Sequence, residues 1–348
     1  MKSFKMLKIV LATTVIGAML AGCGVSVKKN EGGAASPAAS GANGADKQYT
    51  IAFVPKLVGF PYFTSMDKGA QKAAKELGVK WIYQGPTTAD VSEQAKYVSG
   101  LIDQKVDAVG VAANSPTALN QLIGKAKGQN IKFFTSDSDV TNPDRSLFVQ
   151  QATDKDLGYA MADIIAEEVG GEGKVGILSA GSTATNLNAW IGFVKERLAE
   201  KAPKIQLLDT QFAGEDINKS TQIASQIIAA NPDIKGFIGI SAANTPGIAE
   251  AVKQAGKTGE IAITGIGIPN GVKPYIKAGV INKAILWDPE KLGYLTVWGV
   301  LQQLKGVELQ AENDVPGIGK VKYDAATKSL LLGPPLVFDK ENIDNYDF

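Results

Sequence analysis

Lys56, Asp137, Asp139 and the pair Trp287-Asp288 are the side chains best placed for chemistry, with a small polar run over Ser179–Asn188. Each stands at the carboxyl end of an apolar, β-branched stretch. Lys56, in Pro55-Lys56-Leu57-Val58-Gly59, can donate to ligand hydroxyls or be a solvated loop charge. Asp137 closes the run from Phe133 to Asp139. A carboxylate there can accept paired hydroxyl hydrogens, the usual grip on a polyol, or serve as a turn or cap residue. Asn186 can bind or cap the helix that follows. Trp287 can wall a cleft against ligand carbons or fill a core. Asn114 and Ser241–Asn244 occupy equivalent strand-end positions.

What is missing narrows the chemistry. There is no histidine and only one cysteine, which removes Ser-His-Asp and Cys-His catalysis and Cys/His zinc sites. No metal site or cofactor is expected. Asp137 and Asp139 could in principle act as an acid–base pair on a sugar. That reading is set aside, and no catalytic residue is expected. Gly265-Ile266-Gly267-Ile268-Pro269-Asn270-Gly271 misses dinucleotide-loop spacing by one and carries proline where a helix should open. The charge is balanced, 36 basic against 35 acidic residues. No basic block offers phosphates a footing, so no nucleic acid is expected.

The elements that must position these residues form two series. Strands are expected at Tyr49–Pro55, Lys80–Tyr83, Ala108–Ala112 and Ile131–Thr135, separated by helices through Phe63–Leu77, Val91–Gln104 and Thr117–Gln129. A second series runs from a helix through Leu157–Ile165. Strands are expected at Lys174–Ala180, Ile205–Phe212, Gly236–Ile240, Ile261–Gly265 and Lys283–Leu286. A helix near Leu292–Leu304 and a strand-rich tail over Val321–Phe338 follow. Alternation of this kind predicts an α/β protein with two doubly wound parallel-sheet domains. Chain crossings are expected near Gln150–Thr153, Trp287–Pro289 and in the C-terminal third, making a multi-crossing hinge. The expected domains are residues 48–151 with about 289–318, and 152–288 with about 319–348. Ligands of doubly wound sheets collect beyond the carboxyl ends of the strands, which is where the candidates lie.

The N-terminus is an address. Met1–Lys8 is basic, Ile9–Leu20 is apolar, and Leu20-Ala21-Gly22-Cys23 follows. At about 1.5 Å per residue the apolar run is too short to cross a bilayer core of roughly 30 Å, and it reads as a signal peptide over residues 1–23. The ending matches a lipobox, with the single cysteine, Cys23, at the acylated position. Removing Lys2, Lys5 and Lys8 with it leaves 33 basic residues against 35 acidic, a charge of −2. Residues 24–47, rich in Gly, Ala, Ser and Asn, are expected to be a flexible tether. The folded body is expected in the cell envelope, outside the cytoplasm, held to the membrane by lipid alone.

Several runs together carry a resemblance. Pro55–Gly59, Phe63-Thr64-Ser65, Gly69-Ala70-Gln71, Lys75–Gly78, Gly85-Pro86-Thr87, Asp137-Ser138-Asp139, Leu286-Trp287-Asp288 and the ending Lys340–Ile343 with Tyr346-Asp347-Phe348 resemble the autoinducer-2 receptors of the Lsr importer. These belong to the ribose-binding-like, type I periplasmic sugar-binding proteins of ABC importers. Ser182–Asn186 is similar to the rhamnose-binding proteins of the same class. The resemblance implies a monomeric, non-enzymatic receptor that closes on a small polyol-like ligand, autoinducer-2 or a sugar such as rhamnose, and docks on an ABC permease. It places ligand contacts at Lys56, Asp137, Asn186, Leu187, Ile240 and Ala242. Leu187 stands where the family has glutamine and Ile240 where it has proline. The first change loses a polar partner but suits a ligand methyl. Trp287 and Asp288 complete the expected site.

Overall fold

Alternating β-branched and amphipathic stretches resolve into two β/α series in the computed structural model, which describes residues 47–348. The leader, Cys23 and nearly all of the tether lie outside the described residues. The first series is β1 (Thr50–Val54), α1 (Pro61–Leu77), β2 (Lys80–Tyr83), α2 (Val91–Asp103), β3 (Ala108–Val111), α3 (Asn120–Gly128), β4 (Lys132–Ser136) and β5 (Leu147–Gln150). The second begins with α4 (Asp154–Glu168), β6 (Glu172–Ser179), α5 (Thr185–Lys201), β7 (Lys204–Leu207) and β8 (Gln211–Phe212). It continues with α6 (Ile217–Ala230), β9 (Ile234–Gly239), α7 (Asn244–Gln254), β10 (Ala262–Gly265), α8 (Pro269–Lys277) and β11 (Ala284–Leu286). The chain ends with α9 (Pro289–Leu304), β12 (Glu312–Val315), β13 (Gly319–Asp324), β14 (Ser329–Leu331) and β15 (Leu336–Phe338).

Two sheets result. The first has the order β12-β13-β14-β5-β4-β3-β1-β2 and the second β10-β9-β6-β7, with β8 also on β6. The strands β1 to β5 and β14 run parallel, and the second sheet is wholly parallel. Parallel strands are covered on both faces, and β3 (Ala108–Val111) is accordingly buried at every residue. The helices are set by local signals. Asp90, Thr153, Asp216 and Asp288 each cap a first turn by accepting a backbone N–H three residues on. Gly78 ends α1 in the left-handed conformation that glycine adopts without cost. Helix α8 does open at Pro269, in the first-turn position where a missing N–H costs nothing.

Hydrogen bonding corrects the expected tail. Residues from 319 were grouped with the second series, but β13 and β14 extend the first sheet, with β14 parallel to β5. Only β15 returns to the second series, where it pairs antiparallel with β11. Strand β11 therefore belongs to a two-stranded ribbon and touches the parallel sheet through an isolated bridge, Ile266 to Ile285. The expected strand Ile205–Phe212 is two short strands, and β5 was not expected at all. The chain passes between the sheets three times: after β5, between β11 and α9, and between β14 and β15.

Candidate functional site

The carboxyl ends of β1, β3 and β4 meet the loop leading into α5 at a buried polar cluster. Lys56 and Asp137 are each 4% exposed and Asn186 6%. The Lys56 ammonium donates to Asn186 Oδ1 at 3.1 Å and lies 3.8 Å from Asp137 Oδ2. Tyr62 Oη donates to the other Asp137 oxygen at 2.8 Å, and Trp287 Nε1 donates to Tyr62 Oη at 3.0 Å. A chain of bonds thus runs from the indole through the phenol to the carboxylate and the ammonium.

The backbone is shaped to present these groups. Asp137 has φ 70°, a left-handed conformation that a short polar side chain tolerates better than a bulky one, and it turns the chain at the end of β4. Lys56 is positioned from behind. Gln94 of α2 donates to Pro55 O and Ala112 O, and its own oxygen accepts from Asn114 N. Asn114 Nδ2 in turn donates to Lys56 O at 3.1 Å. One buried glutamine therefore ties together the ends of β1 and β3.

A cavity opens above this floor, lined by Lys56, Asp137, Asn186, Glu215 and Ser241 on the polar side. Leu187, Trp190, Ile240 and Trp287 are prominent in the apolar wall. Trp287 meets Tyr62 and Trp190 edge-on at 5.8 Å, so three aromatic rings form one corner. The space is about 340 Å3. Lys56, Asp137 and Asn186 are closed on one another, and a ring of sugar size enters only if they part.

Burial is the main electrostatic force on the carboxylates. It pushes Asp137 above the usual carboxylate range, against the pull of Lys56 and the Tyr62 hydrogen bond. The same burial, with Asp137 alongside, holds Tyr62 well above its ordinary value and keeps it a donor. Glu215 is pushed up by burial, with Lys56 again opposing.

The structure brings together Lys56, Asp137, Asn186, Leu187, Ile240, Ala242 and Trp287 as cavity lining. Asp288 is a correction: its side chain caps α9, accepting from Lys291 N at 3.0 Å, and it lies outside the lining. Asp139 also faces away, paired with Arg145 Nε at 2.7 Å. Tyr62, Trp190 and Glu215 were not anticipated. Tyr62 and Trp190 sit at helical spacing and read as core, whereas Glu215 lies just past an expected strand and was within reach of the strand-end rule.

Two largely parallel sheets with a buried polar cluster between their carboxyl ends define a ligand-binding protein. Comparison with known proteins gives the family. The model of the periplasmic binding protein domain matches residues 51–308, and the chain belongs to that family. It is 27% identical over 277 residues to the ribose import binding protein of Bacillus subtilis, covering 79% of this chain and 88% of that one. It is 28% identical over 251 residues to the D-allose-binding periplasmic protein of Escherichia coli, covering 70% and 80%. Among solved structures, a Clostridium phytofermentas ABC transporter solute-binding protein with bound L-rhamnose superposes with TM-score 0.82 at 28% identity, over 86% of this chain and 98% of that one. LsrB from Clostridium saccharobutylicum in complex with AI-2 gives TM-score 0.80 at 26% identity, over 86% and 100%. The chain is a solute-binding protein of this family, a non-enzymatic class. No helix among the described residues is long and apolar enough to cross a membrane.

Proposed function

We propose that this protein captures a small methyl-bearing polyol, autoinducer-2 in its cyclic tetrahydroxy-tetrahydrofuran form, and delivers it to a membrane permease. The observation that carries the reading is the buried Lys56–Asp137–Asn186 cluster set against the Leu187, Trp190 and Trp287 wall. The cluster offers donors and acceptors to adjacent hydroxyls, and the wall offers a dry seat for a methyl. A second reading is L-rhamnose, which also carries a methyl. The tryptophan corner, suited to a sugar face, and the likeness to the rhamnose-bound structure favour it.

In this proposal the two sheets are the cores of jaws that part for entry. One jaw would comprise residues 48–151 with 289–331 and the other 152–288 with 332–348, a division that sheet membership supports. A monomer acylated at Cys23 would hold the jaws at the membrane surface. The test is to purify the chain without residues 1–23 from an autoinducer-2-producing and a non-producing host, and to release the bound molecule by heat. Autoinducer activity from the producing host alone supports the first reading. A deoxyhexose from both hosts, without that activity, replaces it with the second.

A further inference from the structure

Glu215 lies between β8 and α6, one residue before the Asp216 that caps α6. The residue as a whole is partly exposed, yet its carboxylate reaches inward to line the cavity. Its Oε2 is buried and has no hydrogen-bond partner. Lys56 and Asp137 lie within electrostatic reach, and the Ser241 hydroxyl stands beside it. One ammonium therefore faces two carboxylates. Asp137 is served by Lys56 and Tyr62, while the Glu215 oxygen is left over. Buried carboxylate oxygens without partners are costly and seldom persist without a use.

We infer that Glu215 is a ligand-contacting, specificity-determining residue, whose unshared oxygen accepts a hydroxyl of the bound polyol other than the one held by Asp137. The inference rests on the polyol reading and sharpens it. Ligands must carry donors at two positions, one for Asp137 and one for Glu215. A donor at Glu215 satisfies its free oxygen, while Asp137 takes another hydroxyl once it parts from Lys56, so the two carboxylates read different hydroxyls. Hydrogen bonds to charged groups are the strong ones, and a site built around a hydroxyl rejects analogues that lack it.

The experiment measures calorimetric affinity of the full chain and its Lys56→Ala, Glu215→Ala and Glu215→Gln variants for autoinducer-2, L-rhamnose and their mono-deoxy analogues. Thermal unfolding confirms that each variant folds. Glu215→Ala is expected to weaken binding about ten- to a hundredfold, and Glu215→Gln less, since the amide keeps one acceptor. The decisive result is a cycle: removing one particular hydroxyl weakens binding to the wild type and leaves Glu215→Ala unchanged. A structural role for Glu215 would not single out one hydroxyl. If Lys56→Ala weakens binding but Glu215→Ala binds every analogue as the wild type does, the inference fails and the polyol reading stands. If the wild type binds none of these molecules, both fall together.

Discussion

Burying the Lys56 ammonium at 4% exposure costs several kcal/mol, returned only where partners surround the charge. Asp137 and Asn186 are those partners, and Tyr62 supports the carboxylate from the far side. Lys56→Ala leaves Asp137 buried with the phenol alone. Its expected effect is a ligand affinity at least tenfold weaker, read by titration calorimetry, because a charge-assisted bond is worth about 1.5–3 kcal/mol. An unchanged affinity would remove Lys56 from the site. Away from the cavity, Glu168 makes a different prediction. It is the last residue of α4, where the helix dipole disfavours negative charge, and both carboxylate oxygens are buried without partners. Burial pushes it up to about 7, with Lys283 opposing. A carboxyl raised in the folded state favours the protonated form. Its contribution is fully present below the ordinary glutamate range and is lost as pH rises through about 7. Urea unfolding should therefore show the wild type losing about 1–2 kcal/mol relative to Glu168→Gln between pH 5 and pH 8. Parallel pH profiles for the two proteins would refute this.

Elements are held at distances that single atoms decide. Helices α1 and α9 cross with their backbones nearly touching. A Cβ on Gly293 would sit 1.9 Å from Met66 O, and one on Gly69 1.8 Å from Glu290 O. Gly293→Ala must push the helices apart and is expected to cost about 1–3 kcal/mol or more, seen as a lower urea midpoint at unchanged slope. Gly100, within α2, has open space around it, so Gly100→Ala is expected to stabilise by about 0.5–1 kcal/mol. Equal effects of the two changes would mean that helix propensity, not packing, governs both. None of this close approach is visible in the sequence, where all three are simply glycines inside helical patterns. What is visible is periodicity: the helices and most parallel strands fall where the apolar spacing put them. Strand β5 escaped because Leu147-Phe148-Val149-Gln150 follows β4 through a loop that reads as turn and gives no sign of a second strand. Of the tail strands, β13 and β14 join the first sheet rather than the second series, whereas β15 does return to it, since strand propensity carries no information about the partner edge. The same limit applies to the site. Strand ends pointed to Lys56, Asp137 and Trp287, whereas Tyr62 and Trp190 enter from helix faces and look like core until the sheets face each other.

The two sheets are joined across the cavity by few bonds, all near the strand ends. Lys56 and Asp137 O meet Asn186, Trp287 Nε1 donates to Tyr62 Oη, and Thr183 Oγ1 donates to Asn114 O at 3.0 Å. Asn186 and Lys56 have ligand work in the proposed function, so changing them mixes binding with closure. Thr183 is outside the cavity lining and separates the two. Its hydrogen bond, worth about 0.5–1.5 kcal/mol, exists only while the jaws are together. Thr183→Val keeps the shape and removes the donor, tilting the ligand-free protein toward the open form. The expected outcome is a larger radius of gyration by solution scattering without ligand, returning to the wild-type value at saturation. Affinity should fall by no more than about tenfold, because the ligand must now supply the lost closure energy. Thr183→Ser, which retains the hydroxyl, should restore both readings. Scattering curves that coincide for wild type and Thr183→Val at every ligand concentration would mean that closure is governed elsewhere, by the three chain crossings rather than by the bonds between the jaws.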